Sequence, residues 1–183
     1  WGTKNETAVW FINGDWYRDH RHRDGGSVII YALGAPLSID FGSMYSPHKG
    51  GPDTHSVVQP SGRGARLEAF KKQKKGAFAR ASFKLGGDRW TRAVSLAMLR
   101  NDLPVIAIQD MFSGGGEKTW HLNMMADGAI EAPSGRYSPG QSFTLDAGVN
   151  RLGVTGQTWP AHKSKGIDWD IYVVSSKPQR VEM

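Results

Sequence analysis

The stretch Asp19-His20-Arg21-His22-Arg23-Asp24-Gly25-Gly26-Ser27 carries the densest set of chemically useful side chains in the sequence. On an extended backbone alternate residues share a face, so His20, His22 and Asp24 point the same way. Asp40 sits inside the apolar run Leu37 to Phe41, where a carboxylate is costly unless it is paired or bound to a metal. If 27–33 and 36–41 form a hairpin, Asp40 returns to the start of the first strand, close to His22. His55, in Asp53-Thr54-His55-Ser56-Val57-Val58, stands at the entrance to another apolar run. Two imidazoles and a carboxylate make a zinc shell with a fourth position for water or another group. The competing reading is a buried hydrogen bond between His22 and Asp40, with His55 at the surface. An H-x-H pair also suggests a cupin, but the Glu expected downstream is missing, since residues 25–28 are Gly, Gly, Ser and Val.

The elements that must hold these residues read as strands. Period-2 alternation and short apolar runs occur at 27–33, 36–41, 65–70, 78–85, 91–99, 104–112, 119–125, 142–146 and 169–175. A charged turn is expected over Lys71 to Gly76, and glycine pairs or triplets punctuate the runs at 25–26, 50–51, 86–87 and 114–116. Leu96 to Arg100 has local helical character, but the β-branched and aromatic residues around it favour strand. Many short strands with glycine-rich turns predict an all-β fold, a large antiparallel β-sandwich. With no internal repeat and no dividing linker, residues 1–183 read as a single domain. The longest irregular stretch, Gly42 to Gly64, carries Pro47, Pro52 and Pro60, and long loops of this kind are often functional.

Composition narrows the chemistry. There is no cysteine among the 183 residues, which excludes disulfides, thiolate metal sites and cysteine nucleophiles. No apolar stretch approaches the roughly 18 residues that a membrane-spanning helix needs. The net charge of +6 is concentrated between Ser61 and Arg92, where ten Lys or Arg face only Glu68 and Asp88. A basic region on such a domain suggests a polyanionic partner, and the plainer alternative is a solvated loop. The opening Trp1-Gly2-Thr3-Lys4, without Met, and the polar end at Lys177 to Met183 suggest a piece of a longer chain.

Taken together, three segments carry a family resemblance. They are Asp15 to Ser27 with its H-x-H-x-D, Tyr31 to Gly42 with G-x-P-L-x-x-D-x-G, and Thr54-His55-Ser56-Val57. This pattern resembles the heparinase II/III-like polysaccharide lyase family, and Trp90 to Asp110 is similar to that family's paired strands, in which an Asp ends the second. The resemblance covers about residues 10–125. It implies an (α/α) toroid followed by a large antiparallel β-sandwich, so this chain would be the sandwich of a protein whose toroid lies elsewhere. It further implies β-elimination on uronate-containing acidic polysaccharide, in the periplasm or outside the cell. Zinc would be held by His22, Asp40 and His55 in a structural role. His20 would lie near the cleft as the best candidate for direct participation, and Tyr45 is a candidate acid. The toroid would supply most of the remaining catalytic groups, so the chain alone is expected to be inactive.

A rival reading is a non-catalytic carbohydrate-binding β-sandwich with structural zinc. Nucleic-acid binding through residues 61–92 is disfavoured, because Phe78 and Phe83 fall on opposite faces of one strand and make a poor stacking platform. Of the tryptophans, Trp90, Trp120, Trp159 and Trp169 are expected in the core, with Trp16 and Tyr17 beside the H-x-H strand as candidate sugar platforms. Arg18, Arg21 and Arg23 read as a solvated face or salt bridges, His121 as a satisfied residue of a strand, and His48 and His162 belong to no constellation.

Overall fold

A computed structural model describes residues 6–14, 22–40, 51–59, 63–100, 103–124, 129–157 and 167–183. The fold is all-β, of the antiparallel sandwich class. Its strands are β1 (Thr7–Phe11), β2 (Val28–Ala32), β3 (Ala35–Ser38), β4 (Val58–Gln59), β5 (Arg63–Gln73), β6 (Gly76–Leu85), β7 (Asp88–Arg100) and β8 (Leu103–Phe112). There follow β9 (Thr119–Trp120), β10 (Ile130–Ala132), β11 (Gly135–Tyr137), β12 (Ser142–Leu145), β13 (Gly148–Gln157), β14 (Ile167–Ser175) and β15 (Gln179–Glu182). One 3-10 turn, Pro52–Thr54, precedes β4. The chain divides into two compact units, the first made of 1–33 and 37–124 and the second of 34–36 and 125–183.

In the first unit the main sheet has the order β5-β6-β7-β8, and smaller sheets pair β1-β2-β3 and β4-β9. Alternation along β7 explains its burial: Trp90, Arg92 and Val94 point inward and are buried. Trp90 lies opposite Phe83 on β6 and Phe112 on β8. Its ring stacks on theirs at centroid distances of 4.7 and 6.2 Å. Val57, Val58, Ala81 and Leu85 close the same core. Offset aromatic stacks of this kind add to the burial of their apolar surface.

The second unit holds the sheet β11-β10-β13-β14 and the pair β12-β15. Ile130, Phe143, Leu145, Leu152 and Val154 are buried there. Phe143 stacks on Tyr137 at 4.2 Å.

Several boundaries depart from the sequence reading. β5 runs on to Gln73 and pairs it with Gly76, so the turn is only Lys74-Lys75. Residues 96–100 are strand, the paired alternation of β7 and β8 overriding their local helical character. Of the run expected at 119–125, the described residues 119–124 keep strand geometry only at Thr119–Trp120. Trp90 is in the core as expected, Trp169 is half-buried, and Trp120 is 40% exposed rather than core. Trp16, Tyr17 and Trp159 lie outside the described residues.

Gly26 is a contact point between the first sheet and the main one. It has a φ of 92°, and a Cβ there would lie 2.2 Å from the Trp90 ring. Gly86, with a φ of 64°, has open space around its Cβ position. Left-handed backbone costs a side chain about 1–2 kcal/mol, and overpacking a filled site costs about 1–3 kcal/mol more. Gly26→Ala is therefore expected to lower unfolding stability by about 2–5 kcal/mol, and Gly86→Ala by about 1–2 kcal/mol. Urea denaturation of the two variants checks this; equal losses would contradict the close packing at Gly26.

Candidate functional site

The segment that carries His22 and Asp24 is fixed where it leads into β2. Ser27 N–H donates to the carbonyl of Asp24 (2.7 Å), closing a four-residue turn whose third position is the positive-φ Gly26. That is the glycine position of a type II turn. Gly26 N–H donates to the Ile12 carbonyl (2.8 Å), and Ile12 N–H to the Ser27 carbonyl (2.9 Å). The far side of the turn rests on the main sheet. The buried Arg92 donates from Nη1 to the Gly26 carbonyl (2.7 Å). Its Nε and Nη2 hold the two oxygens of Asp110, both at 2.7 Å. Trp90 Nε1 donates to the same carboxylate at 2.7 Å, and the guanidinium lies 4.8 Å from the Trp90 ring centroid.

A second network places the other two residues. The buried hydroxyls of Ser38 and Ser56 share a 2.8 Å hydrogen bond. Ser38 Oγ also donates to the Val28 carbonyl (2.8 Å), and Val28 N–H donates to the Ser56 carbonyl (3.1 Å). Asn123 N–H donates to Ser56 Oγ (3.1 Å), while the Asn123 carbonyl accepts from Ile39 N–H (2.9 Å). The segment that ends β3 and the segment before β4 are thereby locked together, each one or two residues from a chemically active side chain.

The outcome is a three-way juxtaposition. His55 is fully buried, and its Nδ1 meets Asp40 Oδ2 at 2.6 Å. The His22 ring lies 5.1 Å from that of His55, tilted by 44°. The sequence reading in which Asp40 bonds His22 and leaves His55 on the surface is corrected: His55 is the buried partner of Asp40. The serine network accounts for this, because it draws Ser56 inward beneath β2 and β3. His20 and Tyr45 lie outside the described residues.

The chemistry of this group follows from the carboxylate. A carboxylate accepts only, so Asp40 places the His55 proton on Nδ1 and leaves a lone pair on Nε2. That Nε2 is buried and has no hydrogen-bond partner among the described residues. A cation taking the place of the shared proton would meet both His55 Nδ1 and Asp40 Oδ2, so this pair offers two ligand atoms that already converge. Two imidazoles sharing one tetrahedral zinc, with Zn–N of about 2.0–2.1 Å, have ring centroids about 5 Å apart. The residues thus fit a cation, although no three His, Asp or Glu among those described are already gathered as a metal shell.

Asp24 belongs to the same neighbourhood. Burial pushes its carboxyl above the ordinary range; the His55 and His22 imidazoles draw it down, and Asp40 pushes it further up. The alternation of H-x-H-x-D signalled this residue, while Arg92, Ser38 and Ser56 had no motif to reveal them. His121, read as a satisfied residue, is half-buried and shares a 2.9 Å hydrogen bond with Gln59.

The fold is similar to that of the heparan sulfate lyase HepC from Pedobacter heparinus, with a TM-score of 0.57 at 10% sequence identity. A mutant of that lyase gives 0.58 at 9% identity. Both alignments cover 96% of this chain and 32% of the lyase, so the chain spans about a third of the lyase's length. No protein-family model matches the sequence, and no significantly similar curated protein is found. At such identities the likeness is one of fold: this chain shares its fold with part of a polysaccharide lyase.

The raised carboxyl of Asp24 sets a pH dependence. Ionised Asp24 is disfavoured in the fold relative to the unfolded chain, so Asp24→Asn is expected to stabilise the chelator-treated protein at pH 7. The advantage shrinks as pH falls through the raised folded-state value and is gone below the ordinary 3.8. Urea midpoints of parent and variant across that range check the sign; a variant less stable at pH 7 would contradict it.

Proposed function

We propose that this chain is the β-sandwich part of a lyase that cleaves uronate-containing acidic polysaccharide by β-elimination. The observation that carries this reading is the meeting of His22 with the buried Asp40–His55 pair. They come from three separate segments, in a fold shared with part of a heparan sulfate lyase. The zinc centre is built from His22, Asp40 and His55. A zinc ion held there would tie His22 to the end of β3 and to the segment before β4, a structural service rather than a redox or hydrolytic one. Each of the three groups would hold the ion in its deprotonated form.

The chain's own residues then act by position. His20 precedes His22 by two residues in the sequence. β-Elimination beside a uronic acid requires neutralising the carboxylate, removing the C5 proton and protonating the leaving glycosidic oxygen. His20 is the proton-transfer group that this chain contributes, and Tyr45 is the candidate acid. The remaining groups come from an (α/α) toroid outside these residues, and the sandwich supplies one wall of the cleft. Such a protein works where these polymers occur, in the periplasm or outside the cell.

The test is elimination itself, in the protein with its flanking sequence. Heparan sulfate is supplied, and the ultraviolet absorbance of the 4,5-unsaturated uronate product is followed. The parent is expected to form product, and His20→Ala to lower kcat by about 10²–10⁴-fold. Polysaccharide binding by the parent without any unsaturated product would overturn the reading in favour of a carbohydrate-binding sandwich.

A further inference from the structure

The basic region between Ser61 and Arg92 separates into two kinds of cation in the folded chain. Arg80 and Arg89 pair with Glu68, and Arg92 pairs with Asp110. Among the described residues, Lys71, Lys72, Lys74 and Lys75 pair with no carboxylate, and all four are exposed. They crown the β5–β6 hairpin around its two-residue turn. Phe70 lies beside them, 64% exposed. An open groove of about 400 Å³ lies at this tip, lined by Phe70, Lys72, Lys74, Lys75, Leu96 and Met98 among others. Register explains the grouping. Lys72 lies opposite Ala77, which lies opposite Leu96, while Phe70 is two residues from Lys72 on the same face.

Lysines on an edge strand also discourage edge-to-edge pairing, and β5 is an edge of its sheet. That role needs only charge along the edge. It accounts neither for an exposed phenyl ring nor for the apolar Leu96 and Met98 that line the open groove together with the lysines.

We propose that this hairpin tip is a binding surface for a stretch of anionic polysaccharide, built from none of the residues of the His22–Asp40–His55 group. The lysines meet carboxylate and sulfate groups, and Phe70, Leu96 and Met98 meet the apolar C–H faces of the sugar rings. The choice of polymer rests on the lyase reading; the surface itself does not. Charge complementarity selects a polyanion. The fate of the aromatics selects a sugar chain over nucleic acid. Phe83 and Trp90 are buried in the core and Phe78 is half-buried, so Phe70 has no neighbouring platforms on which successive bases could stack.

The experiment is isothermal titration of the whole chain with a size-defined heparin dodecasaccharide over a series of salt concentrations. A mixed-sequence single-stranded DNA of matched charge serves as comparator. The triple variant Lys72→Gln, Lys74→Gln, Lys75→Gln is expected to bind heparin roughly tenfold more weakly or worse, with a shallower salt dependence. Phe70→Ala is expected to weaken binding with the salt dependence unchanged. Removing two cations elsewhere, Lys118→Gln with Lys177→Gln, is expected to leave binding as in the parent. A triple variant that binds as tightly as the parent, or DNA that binds as tightly as heparin, would overturn the proposal. Zinc content is read on every sample. A chain that holds no zinc yet loses heparin affinity with the lysines would sink the metal reading and sustain this one.

Discussion

The buried guanidinium of Arg92 is the constraint around which the first unit is arranged. A charge with no exposure to water is tolerable only if it is well partnered, and here each nitrogen of the guanidinium has a partner, two on Asp110 and one on the Gly26 carbonyl. A buried ion pair is weak evidence for stability, since desolvation offsets much of the attraction. Removing one partner, however, leaves an uncompensated charge and costs about 3–5 kcal/mol. Such a pair therefore acts chiefly through the one arrangement that satisfies it. In this chain that arrangement includes the carbonyl of the turn following His22 and Asp24.

The rest of the candidate site depends on that anchor. Trp90 presses against Gly26 and donates to Asp110, so the aromatic core, the ion pair and the turn are one packed body. The Ser38–Ser56 hydrogen bond does the corresponding work for Asp40 and His55. Two polar nodes, one charged and one neutral, thus bring together side chains 33 residues apart in sequence, from His22 to His55. The orphaned Nε2 of His55 is the expense of this arrangement, a buried acceptor with no partner among the described residues. Such an atom is informative because most buried polar groups are satisfied.

Much of this was legible in the sequence, for identifiable reasons. The long alternating runs of β6, β7 and β8 declared both strand type and inward face, and the carboxylate in an apolar run at Asp40 declared a partner. A hairpin reading put Asp40 beside His22 and the family resemblance added His55, but neither named the pair that would bond; that depended on the Ser38–Ser56 contact, which no spacing revealed. β13 was missed because Gly148, Gly153 and Gly156 interrupt its alternation, and β15 because its polar residues Gln179, Arg180 and Glu182 hide a strand whose partner is β12. The four lysines read as a turn, but only Lys74 and Lys75 form it while Lys71 and Lys72 end β5, and only the register of β5, β6 and β7 puts Phe70 and Met98 beside them.

Metal content tests the proposed zinc centre of His22, Asp40 and His55 more directly than any activity does. Purified parent, Asp40→Ala and His55→Ala proteins are each exchanged into zinc-containing buffer, desalted, and measured by elemental mass spectrometry. The account predicts close to one zinc per parent chain, with little retained by either variant while both remain folded by circular dichroism. A folded parent that holds no zinc, or variants that hold as much as the parent, would contradict it.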